Sequence, residues 1–161
     1  KREVFIWTRL NHQNIHPILG FRSQPSAHLI SNWCYHGNLA EYLRCNPQFS
    51  RLEKLLQTSR GLAYLHSQSP PICHANIKPE NILVNDRCEA ALTDFGLSQL
   101  FVELGIDGPK GGPDYMAPEL FEAGNPKPSP ESDVYAFGGL VLAVCHHLNA
   151  VCWGNEHFFV R

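Results

Sequence analysis

The sequence predicts an α+β fold, with a few short strands first and mainly helix after them. Three observations carry this. Two short apolar runs, Ile18-Leu19-Gly20-Phe21 and Leu29-Ile30, flank the turn-rich Ser23-Gln24-Pro25-Ser26 and read as paired strands. Ser50-Arg51-Leu52-Glu53 is a capping box, in which the serine hydroxyl takes the Glu53 amide and the carboxylate reaches back. A last apolar stretch begins near Ser132, its expected N-cap. With 161 residues, 43% of them apolar and 17% charged, the chain is long enough for one compact domain and too short for two. That composition, with 12 Gly and 12 Pro, excludes disordered and collagen-like classes.

Taken in order, Val4, Trp7 and Leu10, with Ile6 nearby, share one helical face over residues 1–11. The two strands follow. Gly37-Asn38 breaks the chain, and Leu39, Tyr42 and Leu43 predict a short helix. From the capping box, Leu52, Leu55, Leu56, Ser59, Leu62, Ala63 and His66 keep helical spacing until Pro70-Pro71. Ile82-Leu83-Val84 and Ala90-Ala91-Leu92-Thr93 predict a hairpin around Asn85-Asp86-Arg87-Cys88. Residues 97–116 are rich in Gly and Pro and predict a long loop. The final helix is expected to bury Val134, Phe137, Val141 and Val144.

The net charge is −2, a poor footprint for nucleic acid, and none is expected as a partner. The first 80 residues hold 9 basic and 4 acidic side chains, the remainder 4 and 11. Two solvated faces, or a cation- or phosphate-handling cleft between them, are the readings of that split. Six cysteines permit disulfides, yet most lie in apolar runs, where a free thiol acts as a small hydrophobe. Cys145, His146, His147 and Cys152 invite a zinc reading, but the spacing is not C-x₂₋₄-C and adjacent histidines point apart on a helix, so ordinary helix residues are expected. No apolar run reaches the ~18 residues of a membrane span.

Three stretches carry the chemistry: His74-Ala75-Asn76-Ile77-Lys78-Pro79-Glu80-Asn81, Asp94-Phe95-Gly96 and Ala117-Pro118-Glu119. Singly each is an ordinary turn or helix start. Jointly, in this order and spacing, they resemble the eukaryotic protein kinase signature of catalytic loop, metal-binding loop and activation-segment end. The resemblance covers almost the whole chain. Arg2-Glu3-Val4 and Leu10 to Ile15 resemble the family's helix C running into its fourth strand. Leu29 to Cys34 resembles its fifth strand and hinge, with Gly37-Asn38-Leu39 opening helix D. Gly61 to His66 resembles the end of helix E, Gly111 to Glu119 the end of the activation segment, and Ser132 to Gly138 helix F. The flavour is that of the tyrosine-kinase-like and fungal kinase-like branches.

The resemblance implies roles residue by residue. Phosphoryl transfer is mainly positioning and electrostatic stabilisation of a charge-rich transition state. The metal ligands fall on Asn81 and Asp94, and the phosphate-steadying lysine on Lys78. Ser31, Asn32, Trp33 and Cys34 fall where the family holds adenine, with a small residue, Ser31, at the gate. Structural roles fall on Glu3, His74, Glu119 and Asp133. The implied cofactors are ATP and Mg2+. The departures are equally specific. The catalytic aspartate position holds Asn76, which has no basic oxygen; losing a general base costs about 10²–10⁴-fold. Ala75 stands where loop-phosphorylated kinases carry arginine, and Gly112 where a threonine bridges the catalytic pair. The Gly-rich loop and its strand lysine would precede residue 1. Glu119 lacks its later arginine; a buried, unpaired carboxylate is costly, so it is expected to protonate or be solvated instead.

The expected architecture is thus a partial protein-kinase-like domain over 1–161, with an N-lobe remnant at 1–31, a hinge at 32–38 and a C-lobe portion, ending after helix F, at 39–161. The start at Lys1 suggests a piece of a longer product. The expected function is a catalytically impaired or inactive kinase-like module, with weak or undetectable ATP affinity. The alternatives are an active Ser/Thr kinase represented by an incomplete sequence, and a small metal-binding or disulfide-stapled module. A protein substrate or regulatory protein is the expected partner, and the expected location is intracellular, in the cytoplasm.

Overall fold

A computed structural model describes residues 10–22, 28–47, 50–95, 113–122 and 127–146. The helix expected over 1–11, Glu3, the turn at 23–26, most of the 97–116 loop, Gly112, His147 and Cys152 lie outside the described residues.

Strands β1 (Ile18–Arg22) and β2 (His28–Ser31) pair antiparallel, with an irregularity between Ile18 and Gly20. The chain then turns through Cys34 to Gly37, closed by the Gly37 amide on the Cys34 carbonyl at 3.1 Å. Gly37 has φ +67°, a left-handed conformation that strains any residue with a Cβ and favours glycine. Asn38 caps α1 (Leu39–Cys45) by accepting the Glu41 amide at 3.0 Å.

Helix α2 (Arg51–His66) starts as expected, with Ser50 Oγ accepting the Glu53 amide at 3.2 Å. The reciprocal half of the capping box is replaced: the Glu53 carboxylate accepts from Gln57 Nε2 at 3.2 Å. The buried face also differs from expectation. Leu55, Gly61, Leu62 and Leu65 face inward with Lys54, Gln57 and Thr58, while Leu52 and Leu56 are exposed. Lys54 and Gln57 meet backbone groups of the neighbouring hairpin, while the Thr58 hydroxyl donates to the Lys54 carbonyl of its own helix at 2.8 Å. That hairpin is β3 (Ile82–Val84) and β4 (Ala90–Leu92), antiparallel around the expected turn.

Both hairpin edges are closed. On the β3 side the Val84 amide donates to the Gly37 carbonyl at 3.0 Å. On the β4 side the Leu92 amide donates to the Asn14 carbonyl at 2.9 Å, and the Leu92 carbonyl accepts the His16 amide at 2.8 Å. One face of the hairpin (Ile82, Val84, Ala90, Leu92) joins a single core with Leu39, Tyr42, Leu43, Leu62, Leu65, Ile77, Phe95 and Leu140. Burying such side chains stabilises by roughly 1.5–3 kcal/mol each.

Helix α3 (Pro130–His146) begins two residues before the expected Ser132. Ser129 is the cap: its Oγ accepts the Ser132 amide at 3.3 Å, while Ser132 Oγ accepts the Ser129 amide at 3.0 Å. Pro130 then occupies the first helical position, where its missing N–H costs nothing. The inward face is Ser132, Asp133, Ala136, Leu140 and Val144; Val134 is exposed, and Phe137 and Val141 are half-buried. Among the described residues no helix is long and apolar enough to cross a membrane, and no cluster of three His, Cys, Asp or Glu could hold a metal. Cys145 and His146 are exposed near the end of α3.

Candidate functional site

The open end of the β3–β4 hairpin collects the loop that precedes β3 and the turn that follows β4. Loop 72–81 is pinned from α3. Asp133, 1% exposed, accepts the His74 amide on Oδ2 at 2.7 Å and the Ala75 amide on Oδ1 at 2.8 Å. Oδ2 also meets His66 Nε2 at 2.9 Å, so one carboxylate ties α3, the end of α2 and the loop together. Ala75 sits at φ +64°, a left-handed conformation that these two bonds hold in place.

His74 is fully buried, with its ring edge-on to Phe95 at 6.2 Å and its Nδ1 3.3 Å from the Asn76 amide. Burial pushes its pKa down to about 4, against the smaller upward pull of Asp133, so it is neutral at pH 7.

Asn81 links the site. It is 6% exposed, its Nδ2 donates to the Asn76 carbonyl at 2.8 Å, its amide donates to the Lys78 carbonyl, and its carbonyl accepts the Thr93 amide at 3.0 Å. Asn76, Lys78, Asn81 and Asp94 are thereby brought together. Asp94 is at φ +59°, turned out of the β4 direction. Burial raises its carboxyl pKa; the Thr93 hydroxyl, 3.4 Å away, and the charges of His16 and Lys78 pull it partly back. An amide oxygen beside a half-buried carboxylate is a hard-oxygen donor set, which suits Mg2+. Asn81 directs its NH2 into the loop, which leaves Oδ1 as the oxygen able to face a cation.

The adenine-side residues lie apart from this end. Ser31, Asn32 and Trp33 are exposed, Trp33 at 78%, and Cys34 is half-buried. Cys34 Sγ lies 3.9 Å from Nδ1 of His16, a buried ring whose pKa is lowered by desolvation. An open groove of about 480 Å³ runs between Asn32–Cys34, Pro17 and the turn end of the hairpin. Glu119 is exposed on a short 3-10 turn, Pro118–Phe121, the solvated one of the two outcomes expected for it. Two residues of the site carried no sequence signal as such. His66 read only as a helix position and His16 drew no reading; each meets its partner across a distance no local pattern reveals.

A two-stranded sheet joined by a short crossing to a helical body, with an Asp-anchored loop facing a hairpin, is consistent with part of a kinase fold. Residues 1–157 match the protein kinase domain family, and the chain belongs to it. A leucine-rich repeat receptor-like protein kinase of Arabidopsis thaliana, whose given name presumes inactivity, is 34% identical over 99% of this chain and 17% of its own length. The serine/threonine-protein kinase CTR1 of the same plant is 35% identical over 96% of the chain and 19% of its own length. The solved pseudokinase domain of BIR2, described as an immune regulator of the RLK/Pelle family, superposes with TM-score 0.73 at 30% identity, over 89% of this chain and 45% of that one. The chain thus spans less than a fifth of these two plant kinases. The family as a whole uses ATP and Mg2+.

Proposed function

We propose that this chain is a pseudokinase-type module, which keeps the cation- and phosphate-facing residues of a kinase but transfers phosphoryl groups poorly or not at all. The observation that carries this reading is Asn76, on the loop tied to Asn81 and at the position of the family's catalytic aspartate. An asparagine there keeps shape and hydrogen bonding but cannot take a proton from an attacking hydroxyl. Ala75, without a guanidinium, removes the usual partner of a loop phosphate. The relatives support the reading, since one is a solved pseudokinase and another is named as inactive.

On this reading Asn81 Oδ1 and the Asp94 carboxylate hold Mg2+, and Lys78 steadies a phosphate; the bound ion would neutralise phosphate charge. Ser31 to Cys34 offer main-chain groups to an adenine ring, with residues 1–31 as a small lobe and 39–161 as a helical one. His74 and Asp133 position the loop and touch no ligand. A regulatory protein is the partner such a module would serve. A second reading, an active Ser/Thr kinase, is favoured by the joint retention of Lys78, Asn81 and Asp94 in one place.

The test is transfer of labelled phosphate from Mg·ATP to a mixed Ser/Thr peptide pool, with the chain alone and within any longer product that carries it. The pseudokinase reading predicts no turnover above solvent hydrolysis. Turnover near the ordinary ~1–100 s⁻¹ would establish the second reading instead.

A further inference from the structure

Among the described residues, Lys54 is a buried charged side chain outside the site. It lies within α2, 2% exposed, and its ammonium reaches no ligand-facing surface. Burying an ammonium costs several kcal/mol unless its protons are met, so its partners explain why it is there. Nζ donates to the Cys88 carbonyl, in the turn of the β3–β4 hairpin. It also lies 3.5 Å from Gln57 Oε1, 3.8 Å from a Glu53 carboxylate oxygen and 6.0 Å from the centre of the Tyr42 ring. Gln57, one turn on, accepts the Ala90 amide at 2.8 Å. Asn14 Nδ2 donates to the Ala90 carbonyl at 2.8 Å. Two side chains of α2, with Asn14, therefore close the hairpin's turn and the start of β4.

The hairpin is short, with three residues in each strand. A two-stranded hairpin of that length does not hold its own position. Its other end carries Asn81 before β3 and Asp94 after β4, joined by the Thr93 amide on the Asn81 carbonyl. We infer that Lys54 and Gln57 act as a buried polar clamp that sets where the hairpin sits, and that Lys54 is in this way a positioning residue for Asn81 and Asp94. The second half of that statement rests on the cation-site reading above; the first half does not.

The experiment compares the unaltered chain with Lys54→Met, Lys54→Arg and Gln57→Met, using amide hydrogen exchange and paramagnetic broadening by Mn2+ as the probe ion. Methionine fills a similar volume but leaves the Cys88 carbonyl unmet. Arginine restores a donor. In Lys54→Met, amides of Ala90 and Leu92 should exchange about tenfold faster or more, relative to amides of α3 in the same sample. Mn2+ broadening at Asn81 and Asp94 should weaken with it, and Lys54→Arg should recover both. Should Lys54→Met not fold, Gln57→Met tests the same point through the Ala90 amide. Exchange in β4 that slows or quickens only in step with α3 would show a merely structural lysine and overturn the clamp. Accelerated β4 exchange with unchanged Mn2+ broadening would keep the clamp and overturn the positioning role. No broadening in the unaltered chain would overturn the cation-site reading and, with it, the positioning role, while the exchange data still decide the clamp.

Discussion

At Asn76 a change of one atom type decides the chemistry. The amide preserves the loop, because the loop's geometry depends on main-chain groups: the Asn76 carbonyl takes Asn81 Nδ2, and Asp133 takes the amides of His74 and Ala75. Shape and catalysis are therefore separable at this position. His74 gives a second prediction at the same scale. Its pKa is about 4 in the fold and ordinary in the unfolded chain, so between those values the unfolded chain binds the extra proton. Stability is present above the unfolded value and is lost as pH falls from about 6.5 toward 4. Between pH 7 and pH 5 the loss should be about 2 kcal/mol, read as a lower urea midpoint, with burial of His16 adding in the same direction. In His74→Leu the pH dependence should shrink; an unchanged dependence would place the titrating group elsewhere.

At the scale of elements, position was easier to read than orientation. Both hairpins, the short helix at Leu39 and the Ser50 start were legible, since turns and caps are local signals. The buried face of α2 was not, because Lys54 and Gln57 turn inward to meet a hairpin more than 30 residues away, and no hydrophobic period records that. The cap of α3 was missed by three residues, Ser129 in place of Ser132, for a simpler reason. Ser129 and Ser132 bond to each other, and either could have been the cap. One close contact between elements is testable. A Cβ on Gly61 would lie 2.3 Å from the Asn14 carbonyl oxygen, a backbone atom that itself accepts the Leu92 amide. Gly61→Ala gains helix propensity of about 1 kcal/mol, yet should still lower stability by roughly 1–3 kcal/mol, because the loop must shift. Equal or greater thermal stability in that variant would show that the loop moves freely.

At the scale of the whole molecule, the kinase resemblance was legible because its motifs are spaced along the chain in a fixed order. What the motifs could not show was which partners hold them: His66 meets Asp133 across 67 positions. The adenine-side residues are mostly exposed, so nucleotide should find few walls there. Millimolar ATP with Mg2+ should raise the melting temperature by no more than about a degree, and a rise of several degrees would mean a well-formed nucleotide site. The central claim is that the fold and cation-facing residues persist while the proton acceptor is gone. It is tested most directly by the ratio of single-turnover transfer rates, from Mg·ATP to peptide, between Asn76→Asp and the unaltered chain. At saturating Mg·ATP the unaltered chain should show no transfer, and Asn76→Asp should transfer at a rate at least about 10²-fold above that background. Measurable transfer by the unaltered chain that Asn76→Asp leaves unchanged would contradict it.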